Sequence, residues 1–173
     1  VKGLIGFVRL VFCWAVLEHP DNIAAAFSRK ESDQMNGISE AKKALNELTG
    51  FIGRSQGEAL RVLLRGEEGQ FFIDKICELR DLVARMPKTY EQEGRGDGAV
   101  IYLHYFIGSC DWYITEKDTE EDQLQAFGIA DLGCGPEYGY ISIQELLENN
   151  VELDIHYSPR TVAEQMARSG RDL

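Results

Sequence analysis

Three histidines (His19, His104, His156) and four cysteines (Cys13, Cys77, Cys110, Cys134) are the side chains best suited to proton transfer, nucleophilic attack or metal ligation. His104 and His156 fall in stretches that read as strands, and Asp111, Asp131 or Glu137 can supply a carboxylate. A histidine beside a carboxylate suits general acid–base catalysis or a metal site. Sequence spacing does not impose that pairing, and ordinary strand histidines are the plainer reading, because the criterion is mutual geometry. A small hydrolase or metal-dependent enzyme using His104, His156 and Asp131 therefore stands as the alternative, and no catalytic residue is assigned.

The cysteines are widely separated and form no C-x-x-C. A zinc site usually places two ligands within a few residues of each other. Reduced thiols in a cytoplasmic protein are expected. Cys134 lies between Gly133 and Gly135 without a basic neighbour to activate it. Those glycines lack the rest of a dinucleotide fingerprint, and no P-loop occurs. No cofactor and no metal is expected.

Charge is more informative. The 173 residues carry 18 Lys+Arg against 29 Asp+Glu, net −11. Such a balance argues against direct nucleic-acid binding, which needs basic residues to displace counterions. Residues 1–98 hold 14 basic and 15 acidic side chains, whereas residues 99–173 hold 4 and 14. An acidic module attracts cationic partners. Glu116, Asp118, Glu120, Glu121 and Asp122 cluster around one hairpin. Trp112, Tyr113, Tyr138, Tyr140 and Tyr157 are dense for so small a segment, and aromatics of this kind anchor interfaces. Glu137 and Tyr138, in a loop after the third strand, are the first choice for a recognition patch, and the acids of 116–122 the second.

The elements that carry these residues follow from periodicity. Ser39 caps a first helix whose Ala41, Leu45, Leu48 and Ile52 form one stripe. A short helix covers 58–65. The longest covers 67–86, with Phe72, Ile76, Leu79, Val83 and Met86 on one face, and Pro87 stops it. Residues 87–98 are a glycine-rich junction, in which Arg95-Gly96-Asp97 reads as a turn and not as an adhesion signal. Beyond Gly98 the period becomes two. Residues 100–107 predict a central strand covered on both faces, 111–117 a second, and 125–132 a third with the small residues Ala126, Gly128 and Ala130 on one side. Ser142 and Glu145 make a capping box, 151–157 a last strand, and Ser158-Pro159 the start of a final helix.

The first 34 residues stand apart. Leu4 to Leu17 is mostly apolar, but Arg9 interrupts it and the run is shorter than the roughly 20 residues a membrane helix needs. A secretory signal is the lesser reading. Met35 precedes the helical arm, so residues 1–34 are expected to be an extension, a loosely attached helix or tail, in which Phe7, Val11 and Trp14 do not pack against the remainder.

Four blocks in the second half carry a family resemblance. They are Trp112-Tyr113-Ile114-Thr115-Glu116, the run Phe127 to Gly133, the run Pro136 to Leu146, and Asp154 to Glu164 with Tyr157, Pro159 and Thr161 in place. Over about residues 99–165 they resemble a bacterial domain of unknown function, numbered 2958, found mainly on plasmids and integrated mobile elements. Residues 38–90 are similar to the arm that accompanies it in one subgroup. His156 departs from the pattern, so no family role is carried to it. The resemblance implies no activity. Its setting implies accessory genes whose products interfere with host defence or assist transfer.

The fold expected is α+β: a helical arm (35–90) packed on a small antiparallel sheet of about four strands, with two short C-terminal helices, in an acidic module of 99–173. The function expected is a non-enzymatic cytoplasmic accessory protein binding a basic protein partner, away from membranes. A structural subunit held through the helical stripe is the second alternative.

Overall fold

The computed structural model describes residues 20–170. Two compact units divide the chain, residues 1–39 and 40–173, so the boundary falls inside the first helix. That helix, α1, spans Pro20–Glu47. Ser39 is therefore an interior helical residue and not a cap, and α1, not the third helix, is the longest. Phe7, Val11 and Trp14 lie outside the described residues.

In the second unit the apolar stripe of α1 is buried: Ala41, Leu45 and Leu48, followed by Phe51 and Ile52 in the turn after it. That removes it as a docking surface for another subunit. Helix α2 (Arg54–Leu63) and helix α3 (Gly69–Arg85) follow. Ile76, Leu79, Val83 and Met86 are buried as their spacing requires. The end of α3 is capped from the sheet, where Lys117 Nζ donates to the Val83 carbonyl at 2.6 Å and the Ala84 carbonyl at 3.2 Å.

Seven strands follow among the described residues. The stretch read as one long strand is two: β1 (Val100–Ile101) and β2 (Leu103–Ile107), separated by Tyr102. Then come β3 (Cys110–Glu116), β4 (Ala126–Asp131) and β5 (Pro136–Ile141). After helix α4 (Ile143–Glu148) lie β6 (Glu152–Leu153) and β7 (Arg160–Thr161), and helix α5 (Val162–Ser169) ends the described chain. The main sheet has five strands in the order β5-β4-β3-β2-β6, with antiparallel pairing throughout. β1 leaves it to pair antiparallel with β7. The last predicted strand shrinks to residues 152–153, and the last helix starts after Thr161, not at Pro159. Thr161 and Glu164 form a reciprocal capping box there.

Alternation sorts the strand residues onto two faces. One face carries Leu103, Tyr105, Ile114 and Leu153, all buried. The fully buried Tyr105 hydroxyl donates to the Phe51 carbonyl at 2.8 Å, tying this face to the helical arm. On the other, Tyr113 and Ile129 are sealed by Val162 and Met166 of α5 together with Ala99 and Ile101. Gly128 lets strands β3 and β4 close up, since a Cβ there would overlap Tyr113 O and stand 3.0 Å from Ile114 Cα. Just beyond, the register shifts between Ile114 and Glu116, a bulge at Thr115.

Candidate functional site

The bulge builds the site. Without it, Glu116 would share a face with Ile114. With it, Glu116 lies directly opposite Phe127, on the face that also carries Tyr138 and Tyr140. Glu116 is only 3% exposed. Its Oε1 accepts from the Gln92 N–H, and its Oε2 from the Tyr90 N–H at 3.1 Å. Tyr90 reaches that position with φ of 81°, a left-handed conformation that non-glycine residues rarely adopt.

Gln92 locks the same segment. Its side-chain amide donates to the carbonyls of Val100 and Thr115, at 2.9 and 2.8 Å, and accepts from Val100 N–H at 2.8 Å. Residues 88–93, which read as a junction, are thus a strap fastened to β1 and β3.

Strap and sheet flank a half-open cavity of about 520 Å³. Its walls are aromatic. Phe127 and Tyr138 stack at 6.2 Å, and Phe127 meets Tyr140 edge-on at 5.5 Å with planes 74° apart. The Tyr90 and Tyr140 hydroxyls share a hydrogen bond of 2.7 Å across the rim. Glu93 and Glu116 are the charged side chains that line it. The phenols of Tyr138 and Tyr140 hold their protons firmly. Burial, with Asp97 nearby, pushes Tyr138 up; the bond to Tyr90, then burial and the charges of Glu116 and Glu93, push Tyr140 up.

Of the residues singled out in the sequence, Tyr138 belongs to this cavity, whereas Glu137 pairs with Ala130 and projects to the opposite face. The hairpin acids separate into two kinds. Glu120, Glu121 and Asp122 are exposed. Glu116 and Asp118 are turned inward, which corrects the expectation of five carboxylates facing solvent together. Asp118 organises its own loop, accepting from the N–H groups of Glu120 at 3.2 Å and Gln125 at 2.7 Å. Burial raises its carboxyl, but these bonds and one from Thr119 prevail and hold it below the usual carboxylate range.

The two described histidines, His104 and His156, both reach Asp154. His104 lies between two carboxylates, Nε2 at 2.9 Å from Asp111 Oδ1 and Nδ1 at 3.3 Å from Asp154 Oδ2. Tyr113 stacks on its ring at 4.8 Å. His156 is exposed and stacks on Phe71 at 5.8 Å, while its N–H donates to the other oxygen of Asp154. Asp131 is buried opposite Asp111 and accepts from the Gly133 N–H at 2.9 Å. Among the described residues no group of three or more His, Cys, Asp or Glu side chains is placed to hold a metal ion. Cys134 is exposed, and burial pushes the Cys77 thiol up, away from reactivity.

Sequence reading missed Tyr90, Gln92 and Phe127 as site residues. Tyr138 and Tyr140, two apart on a strand opposite Phe127, carried a signal; the strap carried none.

Fold and cavity together define an α+β protein with an aromatic, carboxylate-floored pocket on one face of its sheet. The chain belongs to the family described as protein of unknown function DUF2958, whose sequence model matches residues 76–168 and so takes in the end of α3, the strap and the whole sheet. No curated protein and no solved structure matches it significantly. Among the described residues no helix is long and apolar enough to cross a membrane.

Proposed function

We propose that this chain is a non-enzymatic accessory protein of a bacterial mobile genetic element, acting in the cytoplasm by holding a basic protein partner. The observation that carries this reading is the charge of the cavity: an aromatic pocket whose charged lining consists of carboxylates alone. Exposed Glu120, Glu121 and Asp122, on the loop that leaves β3, add negative charge beyond Lys88 and Lys117. The setting of the family on plasmids and integrated elements favours interference with host defence as the purpose of the contact.

The geometry of His104 supports binding over catalysis. Both ring nitrogens already face carboxylates of the chain itself, so neither is turned toward a substrate.

The test is capture from a host lysate by the full chain and by the triple variant E120K/E121K/D122K, with Glu116 and Asp118 untouched because they hold loops. Capture that falls in the variant, and falls again near 1 M salt where charges are screened beyond about 3 Å, is expected. Capture indifferent to both treatments overturns the proposal.

A further inference from the structure

We infer that the cavity bounded by Tyr90, Phe127, Tyr138 and Tyr140 seats an alkylammonium group, the end of a lysine side chain of the partner, with Glu116 as its fixed counter-charge. The inference rests on the reading of the chain as a binder of a basic protein, and names the contact that would anchor it.

Aromatic rings present negative faces that attract cations, and they do so at solvent-exposed sites as well as buried ones. Here the planes of Phe127 and Tyr140 meet at 74°, forming a corner. A rounded ammonium touches both walls of such a corner. A flat guanidinium stacks on one wall only.

Glu116 supplies the charge in a form that cannot swing away, because each carboxyl oxygen is held by a backbone N–H of the strap. None of the ion pairs among the described residues involves it. A carboxylate that is 3% exposed and has no cation of its own is costly to bury. An incoming ammonium would supply the missing partner. The volume of about 520 Å³ admits a lysine stem with part of its flanking backbone, within the usual range of ligand pockets.

The experiment titrates the full chain, carrying ¹³C-labelled tyrosine, with four probes followed by NMR. They are Nα-acetyl-lysine amide, its Nε-trimethyl form, Nα-acetyl-arginine amide and the neutral Nα-acetyl-norleucine amide. Saturable shifts at Tyr90, Tyr138 and Tyr140 with both lysine probes are expected, with the norleucine probe at least tenfold weaker. Y138A should weaken lysine binding at least tenfold and Y138F should leave it intact, because the ring and not the hydroxyl provides the attraction. E116Q should also weaken it, and Y138A keeps the test valid if E116Q loosens the strap. Equal binding of norleucine, or tighter binding of arginine, overturns the assignment. If the lysine probes fail while charge-sensitive capture persists, the chain binds a basic partner by another contact and the cage is refuted. If they bind while capture ignores charge, the cage stands and the wider reading falls.

Discussion

His104 Nε2 and Asp111 Oδ1 stand 2.9 Å apart on a diagonal across the β2–β3 pairing, in which His104 lies opposite Tyr113 and Asp111 opposite Phe106. Asp154 closes the other side of the ring. The arrangement fastens β2, β3 and the segment after β6 to one another. His104→Ala removes one partner from each of two carboxylates, and Asp154 keeps the His156 N–H. The substitution should lower the unfolding free energy by about 1–3 kcal/mol, the scale for hydrogen bonds to charged groups. Urea denaturation reads this directly. Partner capture by the folded variant should be unchanged, whereas an enzyme built on His104 would lose its activity altogether.

Gly128 offers a sharper structural test. A methyl group there meets the backbone of Tyr113 and Ile114, which the sheet cannot yield. Gly139 pairs with Gly128 across β4 and β5, yet a Cβ added to Gly139 would meet nothing within 4 Å. Gly128→Ala should cost about 3 kcal/mol or more, or prevent folding, while Gly139→Ala should stay within about 0.5 kcal/mol of the parent. Equal effects would refute the close approach.

Burial pushes the Tyr105 phenol far above its ordinary range, and Tyr157 is raised by the same cause. The folded state then keeps a proton that the unfolded chain releases near pH 10. The sign follows: this contribution is complete below about pH 10 and is lost as pH rises beyond it. Tyr105→Phe removes the bond to the Phe51 carbonyl and should cost about 1–2 kcal/mol at neutral pH. Its stability should then decline less steeply than the parent's in alkaline solution, measured by denaturant midpoints between pH 9 and about 11.

Asp118 titrates in the opposite sense. Its carboxyl is held low in the fold, so its contribution is present above about pH 4 and disappears as pH falls. Asp118→Asn should destabilise the chain at neutral pH and flatten the acid limb of its stability profile, which denaturant midpoints taken from pH 7 downward would show. Reversal of Glu120, Glu121 and Asp122, whose side chains are exposed, should move stability by no more than about 0.5 kcal/mol.

Much of this protein was legible in its residues. Alternation over 100–107 set Leu103 and Tyr105 on one side of their strand, and over 111–117 it set Ile114 on the side away from Tyr113, because a strand's side-chain period is two, whatever it pairs with. Which sides share a face, and the break at Tyr102 that sends Ile101 to the face of Tyr113, came from the pairing. The stripe of Ala41, Leu45 and Leu48 declared its burial in the same local way, and Gly128 declared a close neighbour by lacking a side chain. The site was decided by tertiary structure. One extra residue at Thr115 shifts the β3–β4 register, and only that shift turns Glu116 from the face of Ile114 to the face of Phe127. Tyr90 and Gln92 matter because Glu116 and the carbonyls of Val100 and Thr115 receive them. Periodicity reports how a segment alternates. A bulge and a strap depend on which strand lies opposite, and that partner is chosen by the whole fold.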